Sequence, residues 1–164
     1  MRLKIIFTLL IVLALAAVAS AQTKISATLQ CGKPDQVQAI EVGDRPNHSF
    51  TISQFKCTLT KSLEIAGLQS KEYVVTVFSE VSGNRSHGQE YGVITMTNGD
   101  KCYVRSQHSA TLKEGVFESI EGKWSHAGGT GKLKGLKGQG TFTAKGAPDG
   151  TSTFEVEGEY ELPK

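Results

Sequence analysis

The chain is predicted to be all-β, its antiparallel strands closing into one small barrel. Three observations carry this: strict two-residue alternation near the C-terminus, turn chemistry between the alternating runs, and glycines placed inside those runs. From Thr151 to Leu162 the even positions read Ser152, Phe154, Val156, Gly158, Tyr160 and Leu162. The odd positions read Thr151, Thr153, Glu155, Glu157, Glu159 and Glu161. One apolar and one acidic face is the pattern of a half-buried antiparallel strand. Upstream, Leu136, Gly138, Gly140, Phe142 and Ala144 alternate against Lys137, Gln139, Thr141, Thr143 and Lys145. Ala147-Pro148-Asp149-Gly150 supplies a turn between the two runs. With Lys145 opposite Thr151, Phe142 meets Phe154, Gly140 meets Val156 and Leu136 meets Tyr160, while Lys137 meets Glu159 on the other face. A slip of one residue would lose both sets of pairs. Gly138, Gly140 and Gly158 fall on the apolar face, where glycine marks a bend or a close backbone approach, and a small barrel needs such bends to close.

Gly128-Gly129-Thr130-Gly131-Lys132 invites a phosphate-loop reading and does not sustain it. The G-x-x-x-x-G-K-[ST] pattern needs Gly at 126 and Ser or Thr at 133, where the chain has His126 and Leu133. Lys132, Lys134, Lys137 and Lys145 read as a solvated face. Following Trp124, the segment GGTGKLKGLKGQGTF (Gly128 to Phe142) resembles the Gly-Gly-Thr-Gly-Lys segment of the allene oxide cyclase and dirigent barrel proteins. It is also similar to a group of small bacterial secreted proteins that share that barrel. A looser strand-by-strand similarity runs from about Phe50 to the C-terminus. The resemblance implies a calycin-like antiparallel barrel of about eight strands. It carries fold rather than activity, since no position matches the catalytic residues of those families.

The N-terminus reads as a targeting segment. Arg2 and Lys4 form a basic start, Ile5 to Val18 a continuous apolar run, and Ala19-Ser20-Ala21 a cleavage site. Residues 1–21 are therefore expected to be removed between Ala21 and Gln22, leaving 22–164 as a single barrel domain that is secreted or periplasmic. The apolar run is short for a membrane span, so no membrane anchor is expected after cleavage. Without Arg2 and Lys4 the remaining chain carries 16 basic residues (18 less those two) against 16 acidic ones. That neutrality, with no basic block and no interleaving of aromatic and basic residues, argues against a nucleic-acid partner.

Three cysteines, Cys31, Cys57 and Cys102, are an odd number for an oxidising compartment. Cys31 and Cys57 flank a weakly apolar, Pro-containing segment, and joining them would contribute about 3–4 kcal/mol in the chain-entropy account. That leaves Cys102 free and buried, or paired with another molecule. No two cysteines and no His fall at zinc-ligand spacing, so no metal and no cofactor is expected.

Ile25 to Leu29 and Val37 to Val42 are short strand candidates. His48 to Leu59 is a longer one, and its switch from Phe50 and Ile52 to Phe55, Cys57 and Leu59 suggests a bulge near Ser53. Ser62 to Leu68 reads equally as a helical turn or a strand. From Glu72 to His126 the chain reads as a meander. Asn98-Gly99 is a two-residue hairpin signal that sets Val93 opposite Val104, Thr95 opposite Cys102 and Gln89 opposite His108. A turn at Lys113-Glu114-Gly115 sets Val104 opposite Trp124, His108 opposite Ile120 and Cys102 opposite His126. A turn at Gly83-Asn84 sets Val74 opposite Val93, Phe78 opposite Gln89 and Glu80 opposite His87.

This register gathers Val74, Thr76, Tyr91, Val93, Val104, Ile120 and Trp124 at one end of a face, and Glu80, His87, Gln89, His108 and Glu118 at the other. Imidazoles between carboxylates can relay a proton in a dry barrel mouth, which makes His87, His108, Glu80 and Glu118 the catalytic candidates. Against this, that end is simply solvated, or the opposite face (Val75, Val77, Ile94, Met96, Tyr103) is the inner one. Two functions follow. The first is a non-catalytic barrel that binds a small apolar ligand or a partner, with Trp124, Tyr91, Val93 and Val104 as ligand contacts. The second is an isomerase or cyclase of the allene oxide cyclase type, as the resemblance would imply.

Overall fold

The computed structural model describes residues 22–60 and 63–163, so the expected leader at residues 1–21 lies outside the described residues. The strands are β1 (Thr23–Cys31), β2 (Gln36–Glu41), β3 (His48–Leu59), β4 (Glu64–Ile65), β5 (Leu68–Ser82), β6 (Arg85–Met96), β7 (Lys101–Lys113), β8 (Val116–Gly129), β9 (Lys137–Gly146) and β10 (Ser152–Glu161). Neighbours run in the order β1-β10-β9-β8-β7-β6-β5-β3, and β3 pairs back onto β1, so eight antiparallel strands close into a barrel. β2 continues along β3 beyond the end of β1, and β4 makes a short hairpin with the start of β5.

The closing seam between β1 and β3 is three residue pairs long: Leu29–Leu59, Gln30–Thr58 and Cys31–Cys57. Its last pair is a disulfide whose Cα atoms are 4.0 Å apart, joining the two cysteines singled out by the sequence. The remaining thiol, Cys102, is free and wholly buried.

Each turn fixes a register, and the registers decide which side chains enter the barrel. Gly83, at φ 62°, makes a two-residue turn, and Val74, Phe78 and Glu80 face Val93, Gln89 and His87 as expected. The β9–β10 loop runs from Ala147 to Thr151, because the Asp149 carboxylate accepts the Thr151 N–H and hydroxyl while Ala147 N–H donates to Thr151 O. This puts Lys145 opposite Thr153, two residues from the expected Thr151, so the faces survive. Phe142 and Phe154 still meet, diagonally, with ring centroids 5.9 Å apart. Glu114 (φ 53°) and Gly115 (φ 79°) make the β7–β8 turn, and irregular pairing around Glu118 then brings Ala110 opposite Ile120 and Ser106 opposite Trp124. That is again a two-residue shift that keeps the faces.

The Asn98-Gly99 turn departs from expectation by one residue. The loop has three residues, Thr97-Asn98-Gly99, with Gly99 at φ 89° and the Met96 N–H donating to Asp100 O. The Asn98 side chain is tied to Asp100 by two hydrogen bonds, of 2.8 and 3.0 Å, which hold Asp100 in the closing pair. Gly92 therefore faces Val104 and Gly88 faces His108. One residue of slip turns β5 and β6 over relative to β7 and β8. The expected bulge near Ser53 is also absent, for β3 pairs with β5 without interruption from His48–Ser82 to Cys57–Tyr73. Phe50 and Ile52 point outward, 38% and 51% exposed, and Phe50 stacks on Phe78 on the outer wall.

One end of the barrel is packed solid. Ile65, Met96 and Leu133 are fully buried there, with Leu136 at 2% exposure, and all belong to one apolar cluster. Leu133 and Leu136 are delivered by the glycine-rich loop, whose 3-10 turn spans Gly131–Leu133. The Lys132 N–H donates to Asp100 Oδ2 (3.1 Å) and the Lys101 N–H to Thr130 Oγ1 (2.8 Å), so the loop is pinned to the start of β7. Gly131 has φ 53° and lies against the Asp100 carboxylate, where a Cβ would collide. The segment that resembled a phosphate loop is a plug, and its lysines at 132, 134, 137 and 145 are exposed.

Cys31→Ser with Cys57→Ser is expected to lower unfolding free energy by about 3–4 kcal/mol in urea titration, because the bond holds the shortest ladder of the barrel. Gly131→Ala is expected to lower it by more than about 1 kcal/mol, through both the left-handed backbone and the Asp100 contact. A wild-type midpoint in either variant would contradict the corresponding role.

Candidate functional site

Above the plug the lumen is open. A cavity of about 350 Å³ runs between Ile25, Val75, Ile94, Ile120, Trp124 and Phe142, and reaches a rim formed by Pro34, Val116 and Thr151. Its wall is mostly apolar; Thr51 and Ser53 of β3 and His126 of β8 also line it, and a cluster of polar side chains in mutual contact is set into β5, β6 and β7.

The placement of that group follows from alternation. On β6 the lumenal positions are Ser86, Gly88, Glu90 and Gly92. On β7 they include Val104, Ser106 and His108, and on β5 Val75, Val77 and Ser79. Gly88 pairs with Ser79 on one side and His108 on the other. Having no side chain, it lets the His108 ring lie across β6 towards Ser79, and a Cβ there would strike His108 Cε1 and Ser79 Oγ. Gly92 does the same for the Tyr73 ring. Glu90 stands between these two gaps.

The contacts are short. His108 Nδ1 lies 2.9 Å from Glu90 Oε1, the side chains being 4% and 13% exposed. The approach is off the N–H axis, so it is a close contact without an aligned hydrogen bond. Glu90 Oε2 accepts from the Ser106 hydroxyl at 2.6 Å. His108 Nε2 is 3.4 Å from Ser79 Oγ. Ser86, fully buried, has a hydroxyl with no partner. The Tyr73 phenol is held in its protonated form by burial and then by the neighbouring Glu90.

Trp124 lies against a different pair of gaps. Its indole N–H donates to Glu157 O (3.1 Å), and a Cβ at Gly140 or Gly158 would strike the ring. Beside it, edge-on at 5.0 Å, is His126, whose Nδ1 is 3.0 Å from Cys102 Sγ. Burial lowers the His126 pKa to about 4 and raises the Cys102 thiol to about 12, so both are neutral near pH 7.

Of the residues expected in a site, His108, Trp124 and Val104 do line the lumen. The β6–β7 slip and, for Glu118, the irregular pairing of β8 with β7 send the others elsewhere. Tyr91 is on the outer wall, 44% exposed and stacked on Tyr103, and Val93 shares that face. His87 is exposed and bonds Ser109 Oγ at 3.0 Å. Glu118 is exposed at the irregular pairing of β8. The expected grouping of His87, His108, Glu80 and Glu118 is thus split across the wall. The opposite-face alternative holds for Val75, Val77, Ile94 and Met96 but not for Tyr103. Glu90, Ser106, Ser79, Ser86 and Tyr73 were missed. The available signal was Gly88-x-Glu90-x-Gly92, small residues alternating around a charge, which suits a narrow interior better than a surface.

Glu80 belongs to an outer cluster. Its Oε1 is 2.9 Å from His48 Nε2 and 3.7 Å from Arg45, and His48 Nδ1 contacts Asp44. Donating a hydrogen bond to Asp44, and then one to Glu80, raises the His48 pKa above its ordinary value. A raised folded-state pKa stabilises fully below about 6.5, and the contribution is lost as pH rises through the folded value. Melting temperature is therefore expected to fall across that window, and His48→Gln to flatten the slope. An unchanged slope would remove His48 as its source.

No family model matches the chain, and no curated protein matches it. Among solved structures, it is similar to a pyocyanin demethylase (19% identity, TM-score 0.44, covering 82% of this chain and 99% of that one). It is similar also to the pterocarpan synthase dirigent proteins PsPTS1 (11% identity, TM-score 0.52, 88% and 97% covered) and GePTS1 (10% identity, TM-score 0.53, 87% and 89% covered). At these identities the likeness to the two dirigent structures concerns the fold, and it agrees with the resemblance read from Trp124 to Phe142: the chain has an eight-stranded barrel fold like that of the dirigent proteins.

Proposed function

We propose that this is an exported barrel that binds a small, largely apolar ligand in its lumen. The observation that carries the proposal is the cavity of about 350 Å³, whose mainly apolar wall holds a few polar side chains, Glu90 and His108 among them, the composition of a small-molecule site. Export is supported by the basic, apolar and Ala-Ser-Ala pattern of residues 1–21 and by the Cys31–Cys57 disulfide, which suits an oxidising compartment. Among the described residues no helix is long and apolar enough to cross a membrane. A second reading, acid–base chemistry of the isomerase or cyclase kind, is favoured by one contact, Glu90 against His108 in the lumen.

Titration with N-phenyl-1-naphthylamine, followed by Trp124 fluorescence, tests the first reading. Saturable quenching is expected. Trp124→Ala should weaken binding, followed there by the probe's own emission, and also lower stability, so unfolding is measured alongside. Ala27→Phe should weaken binding more than tenfold at little cost in melting temperature, because the added ring enters open space instead of overpacking a filled core. His87→Ala, on the outer wall, should leave binding unchanged. A large loss of stability in Ala27→Phe with no change in binding would overturn the reading.

A further inference from the structure

We infer that Ser79, His108 and Glu90 form a nucleophile, base and orienting carboxylate that cleave a small carboxylic ester in the lumen. The inference rests on the lumen being a ligand site and assigns that site a reaction. Three connected groups are present in the required order: Ser79 Oγ 3.4 Å from His108 Nε2, and His108 Nδ1 2.9 Å from Glu90 Oε1. They come from three adjacent strands and meet because Gly88, between Ser79 and His108, leaves the ring room to cross. Such order and reach, somewhat loose without substrate, identify a hydroxyl nucleophile and its base irrespective of fold.

Each group has a defined task. Glu90, fixed by Ser106 through its other oxygen, favours the tautomer with hydrogen on Nδ1 and leaves the Nε2 lone pair for the serine proton. That preference rests on the 2.9 Å approach of Glu90 Oε1 to Nδ1. Ser86 supplies what the three lack. Its hydroxyl is buried, unpartnered and on the lumenal face one position along from Gly88, opposite Val81, the lumenal neighbour of Ser79. It is the donor available to a developing oxyanion.

Ser79 Oγ bonds to the ester carbonyl carbon as its proton passes to His108 Nε2, and the carbonyl π pair moves to oxygen beside Ser86. Collapse breaks the carbon–alkoxy bond, and the alcohol leaves with the proton from Nε2. Water then attacks the acyl-Ser79 carbonyl, giving its proton to Nε2. The acyl–Oγ bond breaks, Ser79 regains a proton, and a carboxylic acid leaves. The cavity volume and apolar wall restrict the substrate to a small ester with apolar substituents on both sides.

The test uses the exported protein with p-nitrophenyl butyrate as substrate and a fluorophosphonate as covalent probe. N-phenyl-1-naphthylamine binding and melting are followed in parallel. Expected are saturable ester hydrolysis and phosphonylation mapped by mass spectrometry to Ser79. Ser79→Ala should lose the label and reduce kcat/KM at least about 100-fold while keeping the naphthylamine affinity. His108→Gln should do the same. Glu90→Gln, a change in a positioning residue, should lower kcat without raising KM and shift the pH profile, and Glu90→Asp should recover part of the rate. Labelling of wild type does not depend on any variant folding. Naphthylamine binding without turnover or label at Ser79 would overturn the inference and leave the lumen reading intact. Loss of both would overturn the two together, and a label on another residue would overturn the assignment of Ser79.

Discussion

The barrel stands on its shortest ladder. Seven of its eight junctions are hairpin neighbours or long strand pairs, but β3 meets β1 over Leu29–Leu59, Gln30–Thr58 and Cys31–Cys57 alone. Beyond Cys31 the chain bends away, and β2 takes over the edge of β3. A closed sheet has no exposed edge and encloses a lumen, whereas an open one has neither property. Everything inside the wall therefore depends on three pairs being kept together, and the last pair is covalent. Leu29 and Cys31, with Cys57 and Val75, form a small apolar cluster of their own at that junction. Closure, disulfide and lumen are in this sense one feature.

How far the sequence could be read follows from the same geometry. The alternation of Ser152 to Leu162 against Leu136 to Ala144 is strong because one face is acidic or basic and the other apolar, so a misplaced turn shifted the pairs by two and left the faces intact. β6 offers no such contrast. Its inner row is Ser86, Gly88, Glu90, Gly92, Ile94 and Met96, and its outer row is His87, Gln89, Tyr91, Val93 and Thr95. Hydrophobicity slightly favours neither row, and the decision falls to one turn. Read as two residues, Asn98-Gly99 puts Tyr91 and Val93 inside. The Asp100 carboxylate, held by Asn98 and by the plug loop, makes it three. Long-range packing of the plug thus sets a local turn, and a turn table applied to four residues could not see it. His108, Val104 and Trp124 share one face in the expected and in the observed register, because β7 and β8 are displaced relative to each other by an even number.

The in-strand glycines were legible as close approaches, although what approaches them was not. Gly140 and Gly158 make room for the Trp124 indole, Gly92 for the Tyr73 ring, and Gly88 for His108. A small barrel cannot hold large side chains at every inward position, so large and small ones must alternate around it. Glycines therefore map the rings, and the rings mark which strand face is inner.

The two ends of the interior have been put to opposite uses. At the plugged end Ile65, Met96, Leu133 and Leu136 are buried almost completely in one apolar cluster. Towards the rim a cavity remains, and polar side chains, among them Glu90, His108, Ser79, Ser86 and Ser106, are set into a mostly apolar wall. Both choices are destabilising. A void forfeits contacts its lining would otherwise make, and buried polar groups lose hydration that partial pairing does not fully replace. Ser86 and the unaligned Nδ1 of His108 are left short of partners altogether. Apolar residues at positions 86, 90 and 108 would make a tighter barrel of the same topology. A fold that buries one end in apolar side chains and leaves the other hollow and partly polar concentrates its departures from good packing at a defined place, and such places are where function is found.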